Sequence, residues 1–263
     1  MTTFDIEPHL DAVTDLVRRS SRRALDWFRR PLEVDNKASS GFDPVTAADR
    51  AVEDEIRAGL AGLFGGHAVL GEERGETGSG PIRWVIDPID GTRAFITGQP
   101  LWGTLLGLQV DGRPVAGWMH LPVLDETQVA TATGGRLLRP GGSEPLAASS
   151  TTRLDEAIVL CTHPEMFAPG PEADGFARLA AVSRMTRYSG DCANYGYLAA
   201  GLADLVVENG LAPYDIVPLI PIVEAAGAVV TDLEGRSPVD GGYVVAAATA
   251  ELHGAALAQL RPR

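Results

Sequence analysis

Apolar residues recur every three or four positions over residues 5–30, which predicts an amphipathic helix that ends at Pro31. Residues 47–64 show the same spacing after a segment rich in Gly, Ser, Asp and Pro, and they predict a second helix. Short apolar runs separated by turn residues then predict the strands of a meandering sheet. These runs occupy residues 67–71, 83–87, 103–110, 114–121 and 127–133.

The second half of the chain alternates strand-like and helix-like patterns, which predicts layers of sheet and helix and an α/β (α+β) fold. The Pro/Gly/Ser-rich stretch 140–150 is the best boundary, so we expect an N-terminal subdomain over 1–145 and a C-terminal one over 146–263. Strands are predicted near 157–161, 184–188, 204–208 and 227–231, and helices near 173–182, 191–201 and 215–226.

Composition and charge argue against several classes of function for this protein. The 263 residues are 45% hydrophobic, enough for a sizeable core, and 22 basic against 35 acidic residues give a net charge of −13. This charge opposes binding to nucleic acid or to an anionic membrane. Acidic residues near the N-terminus and the lack of a long apolar run argue against a secretory signal or a membrane span, so we expect a cytoplasmic protein. The two cysteines, Cys161 and Cys192, predict no disulfide framework.

Two carboxylates follow an apolar strand in the segment Trp-Val-Ile-Asp-Pro-Ile-Asp-Gly-Thr, residues 84–92. Pro88 cannot continue the hydrogen-bond ladder of a sheet, so Asp87 and Asp90 are predicted at the exposed end of this strand. The two acids would repel one another unless a divalent cation lay between them, and oxygen ligands suit Mg²⁺. The alternative is an Asx-turn with a capped helix start.

Gly91 and Thr92 are predicted to open a turn or helix whose backbone N–H groups can bind phosphate. Further acids follow other apolar runs. Glu72 and Glu73 come after residues 67–71, where the alternative is a solvated acidic turn, and Asp215 begins a helical stretch that it could simply cap.

Together these elements resemble the inositol-monophosphatase-like superfamily of Mg²⁺-dependent phosphomonoesterases. The signature WxxDPxDGTxxF stands at residues 84–95, the upstream GEE at 71–73 and the element D-x-V-T-x-x-D at 43–49, after Lys37. The distal element is Tyr214-Asp215 with an alanine-rich helix. The resemblance implies a layered α-β-α-β-α sandwich of the inositol monophosphatase and fructose-1,6-bisphosphatase type, and a homodimer.

The segments over residues 98–105 and 212–222 resemble the GxPxWGTLI and PYDxxxLxPI elements of the histidinol-phosphate phosphatase branch. The resemblance therefore implies hydrolysis of L-histidinol phosphate to L-histidinol and phosphate, a step of histidine biosynthesis. The alternatives are a phosphatase of inositol 1-phosphate or another small sugar or nucleotide phosphate, and a catalytically silent metal-binding protein. A Mg²⁺-dependent nucleic-acid enzyme fits the charge poorly.

The resemblance also implies roles for single residues. Two or three Mg²⁺ ions, with Mn²⁺ or Zn²⁺ as possible substitutes, would be bound by acids and one carbonyl, and Thr92, Asp49 and Glu72 would act on the attacking water. The N–H groups of Gly91 and Thr92 would bind the phosphate. The implied metal ligands are Glu72, Asp87, the carbonyl of Ile89, Asp90 and Asp215.

The resemblance places the substrate's organic part beside Asp90, Asp191, Asn194, Glu208 and Arg187. A cationic amine such as that of histidinol would pair with the acids. Arg187 would contact the phosphate or else pair with Asp191, and Asn194 would contact the substrate or only cap a helix. His67, His120 and His163 lack metal-ligand spacing and are expected to be structural, and His9 and His253 are expected near exposed ends of the chain.

Overall fold

The computed structural model describes residues 2–31, 35–36 and 44–261, so the predicted loop with Lys37 and Asp43 lies outside the described residues. The helices are α1 (Leu10–Arg23), α2 (Ala47–Leu63), α3 (Thr92–Ile96), α4 (Pro171–Val182), α5 (Ala193–Ala199), α6 (Pro213–Ile216), α7 (Leu219–Ala225) and α8 (Ala250–Leu260). The strands are β1 (Asp35–Asn36), β2 (Pro44–Val45), β3 (Ala68–Gly71), β4 (Gly75–Thr77), β5 (Ile82–Asp90), β6 (Gly103–Val110), β7 (Arg113–Leu121), β8 (Glu126–Thr131), β9 (Gly134–Arg139), β10 (Gly142–Pro145), β11 (Ile158–Cys161), β12 (Met185–Tyr188), β13 (Leu205–Leu211), β14 (Val229–Thr231) and β15 (Gly242–Ala247).

The first sheet has eight strands in the order β10-β9-β8-β7-β6-β5-β3-β4, and α1 and α2 pack on one of its faces. The apolar stripe of α1, including Val13 and Leu16, meets Ile56 of α2 and the fully buried rings of Trp84 and Trp118. The α-helical part of the predicted 5–30 helix is shorter than expected, because 3₁₀ turns precede and follow it.

The second sheet has five strands in the order β12-β11-β13-β15-β14, and its side chains alternate between two cores. Val206 and Val244 point into a central core with α5 and α7, whereas Leu205, Val207 and Val245 pack against α4 and α8. Both faces of this sheet are therefore covered by helices. The layers follow one another as α-β-α-β-α, which confirms the predicted fold.

Two helices form where the sequence predicts one helix over 215–226. Pro218 separates α6 from α7, since a proline ring lacks an N–H and crowds the preceding turn. The junction lies directly on the first sheet. Gly107 and Gly117 are register partners on β6 and β7, and a Cβ at Gly117 would overlap the carbonyl oxygen of Pro218.

Three short strands, β4, β9 and β10, were not predicted. The predicted boundary over 140–150 begins inside the first sheet, because β10 pairs with β9 before residues 146–150 lead to the second half. The division of the chain at residue 145 stays a prediction.

Among the described residues, none of the helices has the length and apolar character needed to cross a membrane.

Replacing Gly117 with alanine should destabilise the protein by about 1–3 kcal/mol, because the added methyl group forces the α6–α7 junction off the sheet. Urea unfolding would measure this change. Gly62→Ala is the matched control, since nothing lies within 4 Å of a Cβ at that helical position. Equal stability of both variants would contradict the close packing of Pro218 on β7.

Candidate active site

Strand β5 carries two carboxylates to the edge of the first sheet. It does not end at Pro88, as the sequence predicted, but continues to Asp90 through a β-bulge. Asp87 pairs with Leu105 and Asp90 with Gly103, so β5 has one extra residue in this interval. The bulge accommodates a proline that cannot donate to the ladder, and the bulged chain turns both acids toward the same site.

Three carboxylates meet at this point. Asp87, Asp90 and Asp215 each place one oxygen within 4.8 Å of the others. Asp87 is only 2% exposed, and its Oδ1 has no hydrogen-bond partner within the described part of the protein. Burial raises the pKa of Asp87 well above its usual range, and the charges of Glu72 and Asp90 raise it further. Burial likewise raises the pKa of Asp90, followed by the charges of Asp191 and Asp215.

Glu72 lies beside this cluster because β3 runs parallel to β5. Gly71 pairs with Ile86, and the backbone N–H of Glu72 donates to the carbonyl of Ile86 at 3.2 Å. The ends of the two strands therefore lie at the same edge of the sheet. The sequence predicted acids after both apolar runs, but a simple meander would make the two strands antiparallel; β4, which lies between them in the chain, allows β3 and β5 to run parallel.

Asp215 reaches the cluster from the second half of the chain. It is the third residue of α6, and its Oδ2 accepts a hydrogen bond from the backbone N–H of Ala212 at 2.7 Å. The helix therefore begins before Asp215, which is not its N-cap residue. The carboxylate stabilises the helix start and also takes part in the acidic cluster.

Gly91 and Thr92 follow the bulge and begin α3 as predicted. Gly91 has a φ of 85°, a left-handed conformation that favours glycine. A Cβ there would also lie 3.1 Å from the side chain of Asp191, which leaves little room for a larger residue. The hydroxyl of Thr92 donates to the carbonyl of Ile89 at 3.1 Å. This hydrogen bond keeps the carbonyl and the hydroxyl next to the carboxylates.

Asp49 is almost completely buried at the start of α2. Its Oδ2 accepts from the backbone N–H and the hydroxyl of Thr46, at 2.8 and 2.6 Å. Its Oδ1 has no hydrogen-bond partner among the described residues. Burial raises the pKa of Asp49 to about 6, although the hydrogen bonds from Thr46 oppose the rise.

A cavity of about 330 Å³ opens above Asp215 and joins the two halves of the chain. One wall is the start of α3, and the other is formed by the segment that follows β11 and by the end of β13. His163 was expected to be structural, but it lies in this wall. Its Nε2 is 3.4 Å from Nη1 of Arg93. The lining residues are Gly91, Thr92, Arg93, Thr162, His163, Met166, Asp191, Asn209, Gly210, Leu211 and Asp215.

Part of this cavity wall could have been predicted from the sequence. Thr162 and His163 directly follow the apolar strand β11, just as the first acids follow β3 and β5. Residues after parallel strands of one sheet gather at one edge. Within the second sheet, where β11 runs parallel to β12, the same rule could therefore have placed His163 beside Asp191, whereas Arg93 follows a strand of the first sheet.

Glu208 lies behind the cavity and is only 2% exposed. Its Oε1 accepts from the backbone N–H and the hydroxyl of Thr162, at 3.1 and 2.6 Å, and from the side-chain amide of Asn194 at 3.2 Å. Burial raises the pKa of Glu208 to about 7 against the effect of these donors. Asn194 is the second residue of α5 and so does not cap that helix.

Asp191 and Arg187 are not brought together. Asp191 has a φ of 45° and lines the cavity, and the next backbone N–H, of Cys192, donates to Asp90 at 2.6 Å. Burial raises the pKa of Asp191 to about 6, and Arg93 is the cation that opposes this rise. Arg187 is exposed on the edge strand β12, where it lines a separate apolar groove of about 250 Å³.

The cluster has the chemistry of a divalent cation site. All of its donors are oxygens, and hard cations such as Mg²⁺ prefer carboxylate and carbonyl oxygens. Two ionised carboxylates about 5 Å apart repel by about 3 kcal/mol at an effective dielectric constant of about 20. A cation would remove this repulsion. It would also be bound by Oδ1 of Asp87, which has no hydrogen-bond partner among the described residues.

Comparison with known proteins agrees with this geometry. The sequence model of the inositol monophosphatase family matches residues 5–263. A histidinol-phosphatase from Chlorobaculum parvum is 35% identical over 91% of this chain and 92% of its own, and an inositol-1-monophosphatase from Mesorhizobium japonicum is 32% identical over 78% of each.

The solved structure of an inositol monophosphatase from Zymomonas mobilis superposes with a TM-score of 0.84 at 35% identity, over 98% of this chain and 99% of the other. The layers, the acidic cluster and the match over nearly the whole sequence agree with one another. The chain therefore belongs to the inositol monophosphatase family and is a phosphatase of that family.

Proposed function

We propose that the protein is a Mg²⁺-dependent phosphomonoesterase that hydrolyses L-histidinol phosphate to L-histidinol and phosphate, a step of histidine biosynthesis. The observation that carries the substrate assignment is a pair of carboxylates, Asp191 in the cavity wall and Glu208 behind it, bound to Thr162 of the same wall. Histidinol has a cationic amine, which forms charge-assisted hydrogen bonds with carboxylates. The similarity to a histidinol-phosphatase at 35% identity supports this choice.

The proposed metal ligands all lie at or beside the end of β5. When bound, divalent cations neutralise charge on the phosphate and lower the pKa of a water molecule. We propose two or three Mg²⁺ ions, with Mn²⁺ or Zn²⁺ able to replace them at oxygen ligands. The ligands are Glu72, Asp87, the carbonyl of Ile89, Asp90 and Asp215.

We assign the handling of the attacking water to Asp49, Thr92 and Glu72. Asp49 has a buried Oδ1 without a partner among the described residues and a pKa near 6, which suits a proton acceptor at neutral pH. The hydroxyl of Thr92, oriented by the carbonyl of Ile89, would hold the water by a hydrogen bond. The backbone N–H groups of Gly91 and Thr92 would donate to the phosphoryl oxygens.

At the organic end of the substrate, Glu208 and Asp191 would accept hydrogen bonds from the amine, with Asp90 between them and the phosphate. Asn194, whose amide already orients Glu208, is a further proposed contact. Arg187 lines the neighbouring groove, so a contact with the substrate of this same chain would require its side chain to move.

We also propose that the protein forms a homodimer. The groove that contains Arg187 is surrounded by exposed apolar side chains, including Met185, Tyr188 and Leu202. Contiguous exposed apolar surface of this kind is typical of a protein interface.

The second candidate function is hydrolysis of inositol 1-phosphate. It is favoured by the 35% identity and shared fold with the Zymomonas mobilis inositol monophosphatase. A polyol needs only neutral hydrogen bonds, which Thr162 and Asn194 could supply together with a protonated Glu208.

Phosphate release from L-histidinol phosphate, inositol 1-phosphate and adenosine 3′,5′-bisphosphate should show the highest kcat/KM for the first substrate, because only it presents a cationic amine to Asp191 and Glu208. The assay uses Mg²⁺, with a chelator control for each substrate. Preference for inositol 1-phosphate would retain the phosphatase assignment and overturn the substrate assignment.

The Asp90→Asn variant should lose at least about a hundredfold in kcat, because a bound cation contributes several kcal/mol to charge stabilisation and Asp90 is a proposed ligand. Its free energy of unfolding without metal should not fall, since ionised Asp90 is a half-buried charge among like charges. Urea unfolding and steady-state kinetics measure the two effects. Asp155→Asn, on the exposed surface, serves as the control.

The Glu208→Gln variant should raise the KM for histidinol phosphate about tenfold or more and change the KM for inositol 1-phosphate much less. Because the pKa of Glu208 is about 7, its ionised fraction falls as the pH decreases from 8 to 6. The KM of the wild-type protein for histidinol phosphate should rise over this range, and the rise should be weaker in Glu208→Gln. Glu156→Gln, a surface change, is the control, and identical pH profiles would refute the role of Glu208.

A further inference from the structure

The turn that carries Glu72 is held in place by hydrogen bonds to a buried glutamate of α2. Residues 72–74 connect β3 to β4, and the side chain of Glu53 lies beneath them with no exposed surface. Its Oε2 accepts from the backbone N–H of Glu73 at 2.7 Å, and its Oε1 accepts from that of Arg74 at 3.2 Å. The carboxylate therefore provides acceptors for two N–H groups of the turn that face the protein interior.

Arg57, one helical turn later, balances the charge of Glu53. Its Nε donates to Oε1 of Glu53 at 2.7 Å, while Nη1 donates to the hydroxyl of Thr77 at 2.8 Å and Nη2 to the carbonyl of Gly75 at 2.6 Å. The cost of burying the carboxylate is thus offset by several charge-assisted hydrogen bonds. The Glu53–Arg57 pair connects α2 to β4 and to the turn.

Gly71 completes this arrangement. A Cβ at this position would overlap the carboxylate of Glu53, so only glycine leaves room for the glutamate beneath the turn. Directly after it, the N–H of Glu72 donates to Ile86 of β5. The turn is therefore fixed on one side by Glu53 and on the other by β5, and the charge of Glu72 acts on Asp87.

We propose that Glu53 is a positioning residue of the metal centre: it holds the turn so that the carboxylate of Glu72 faces Asp87, and the affinity for Mg²⁺ depends on it. The proposal rests on the proposed function, because it assumes that Glu72 is a metal ligand. Glu53 itself does not touch the substrate or the reacting atoms. In Glu53→Gln, an NH₂ group replaces one acceptor and meets N–H donors on every side, so the turn shifts while the volume is unchanged.

The test measures Mg²⁺ binding directly, by titration calorimetry on the substrate-free protein, together with the Mg²⁺ dependence of phosphate release. In Glu53→Gln the dissociation constant for Mg²⁺ should rise about tenfold to a hundredfold, as is usual when a residue that orients a ligand is removed. At saturating Mg²⁺ the kcat should recover to within a few-fold of wild type, and the KM should be unchanged. Glu53→Asp, which keeps the charge, should restore part of the affinity.

Glu55→Gln is the matched control, because Glu55 lies on the same helix and pairs with Arg19 and Arg23 of α1. Its Mg²⁺ affinity should equal that of wild type. Unchanged affinity in folded Glu53→Gln, or an equal loss in Glu55→Gln, would overturn the proposal. If Glu53→Gln does not fold, Arg57→Lys replaces it, since it keeps the ion pair and loses the hydrogen bonds to β4; unchanged affinity there would also overturn the proposal.

The same measurements separate this inference from the proposed function. Binding of Mg²⁺ that depends on Glu53, without hydrolysis of any phosphate monoester offered, would refute the proposed substrate and retain the positioning role. Hydrolysis with an unaltered Mg²⁺ dependence in Glu53→Gln would retain the function and refute the role of Glu53.

Discussion

Electrostatic repulsion among the buried and half-buried carboxylates at the end of β5 is the constraint that organises this structure. Asp87, Asp90 and Asp215 place oxygens within 4.8 Å of one another, and burial raises the pKa of the two on β5. Such a cluster opposes folding unless a cation or protons neutralise it. Three different backbone features hold these acids. A β-bulge holds Asp87 and Asp90, and a helix start holds Asp215. A turn fixed by Glu53 holds Glu72.

The stacking of the layers brings these backbone features, and the acids they hold, close together. Because β6 and β7 present glycines at Gly107 and Gly117, the backbone at Pro218 can lie directly on the first sheet. This contact brings α6, and with it Asp215, close to the end of β5. The acidic cluster is thus an interface between the two halves of the chain, and the segment after β11 and the end of β13 extend it into a cavity.

Several predictions succeeded because they rest on local rules. Apolar periodicity identified α1, α2 and most strands, and acids that follow apolar runs identified Glu72, Asp87 and Asp90. The failures also have physical causes. Pro88 was expected to end β5, but a bulge accommodates it. The strands β4 and β10 lack apolar alternation because they are exposed, so pairing with a neighbour alone defines them. Strand β9 does alternate between exposed and buried residues, but it begins with two glycines and its two apolar side chains, Leu137 and Leu138, are adjacent.

The sequence by itself determined the fold class, the family resemblance and the residues around the cluster, since these depend on periodicity and on motifs of adjacent residues. Only the tertiary structure decided which distant groups meet. It separated Arg187 from Asp191, placed Arg93 and His163 in the cavity wall, and put Glu53 beneath the turn of Glu72. The contacts of Arg93 with His163 and of Glu53 with the turn join positions far apart in the chain, and they depend on how the layers stack, which no local pattern of residues specifies.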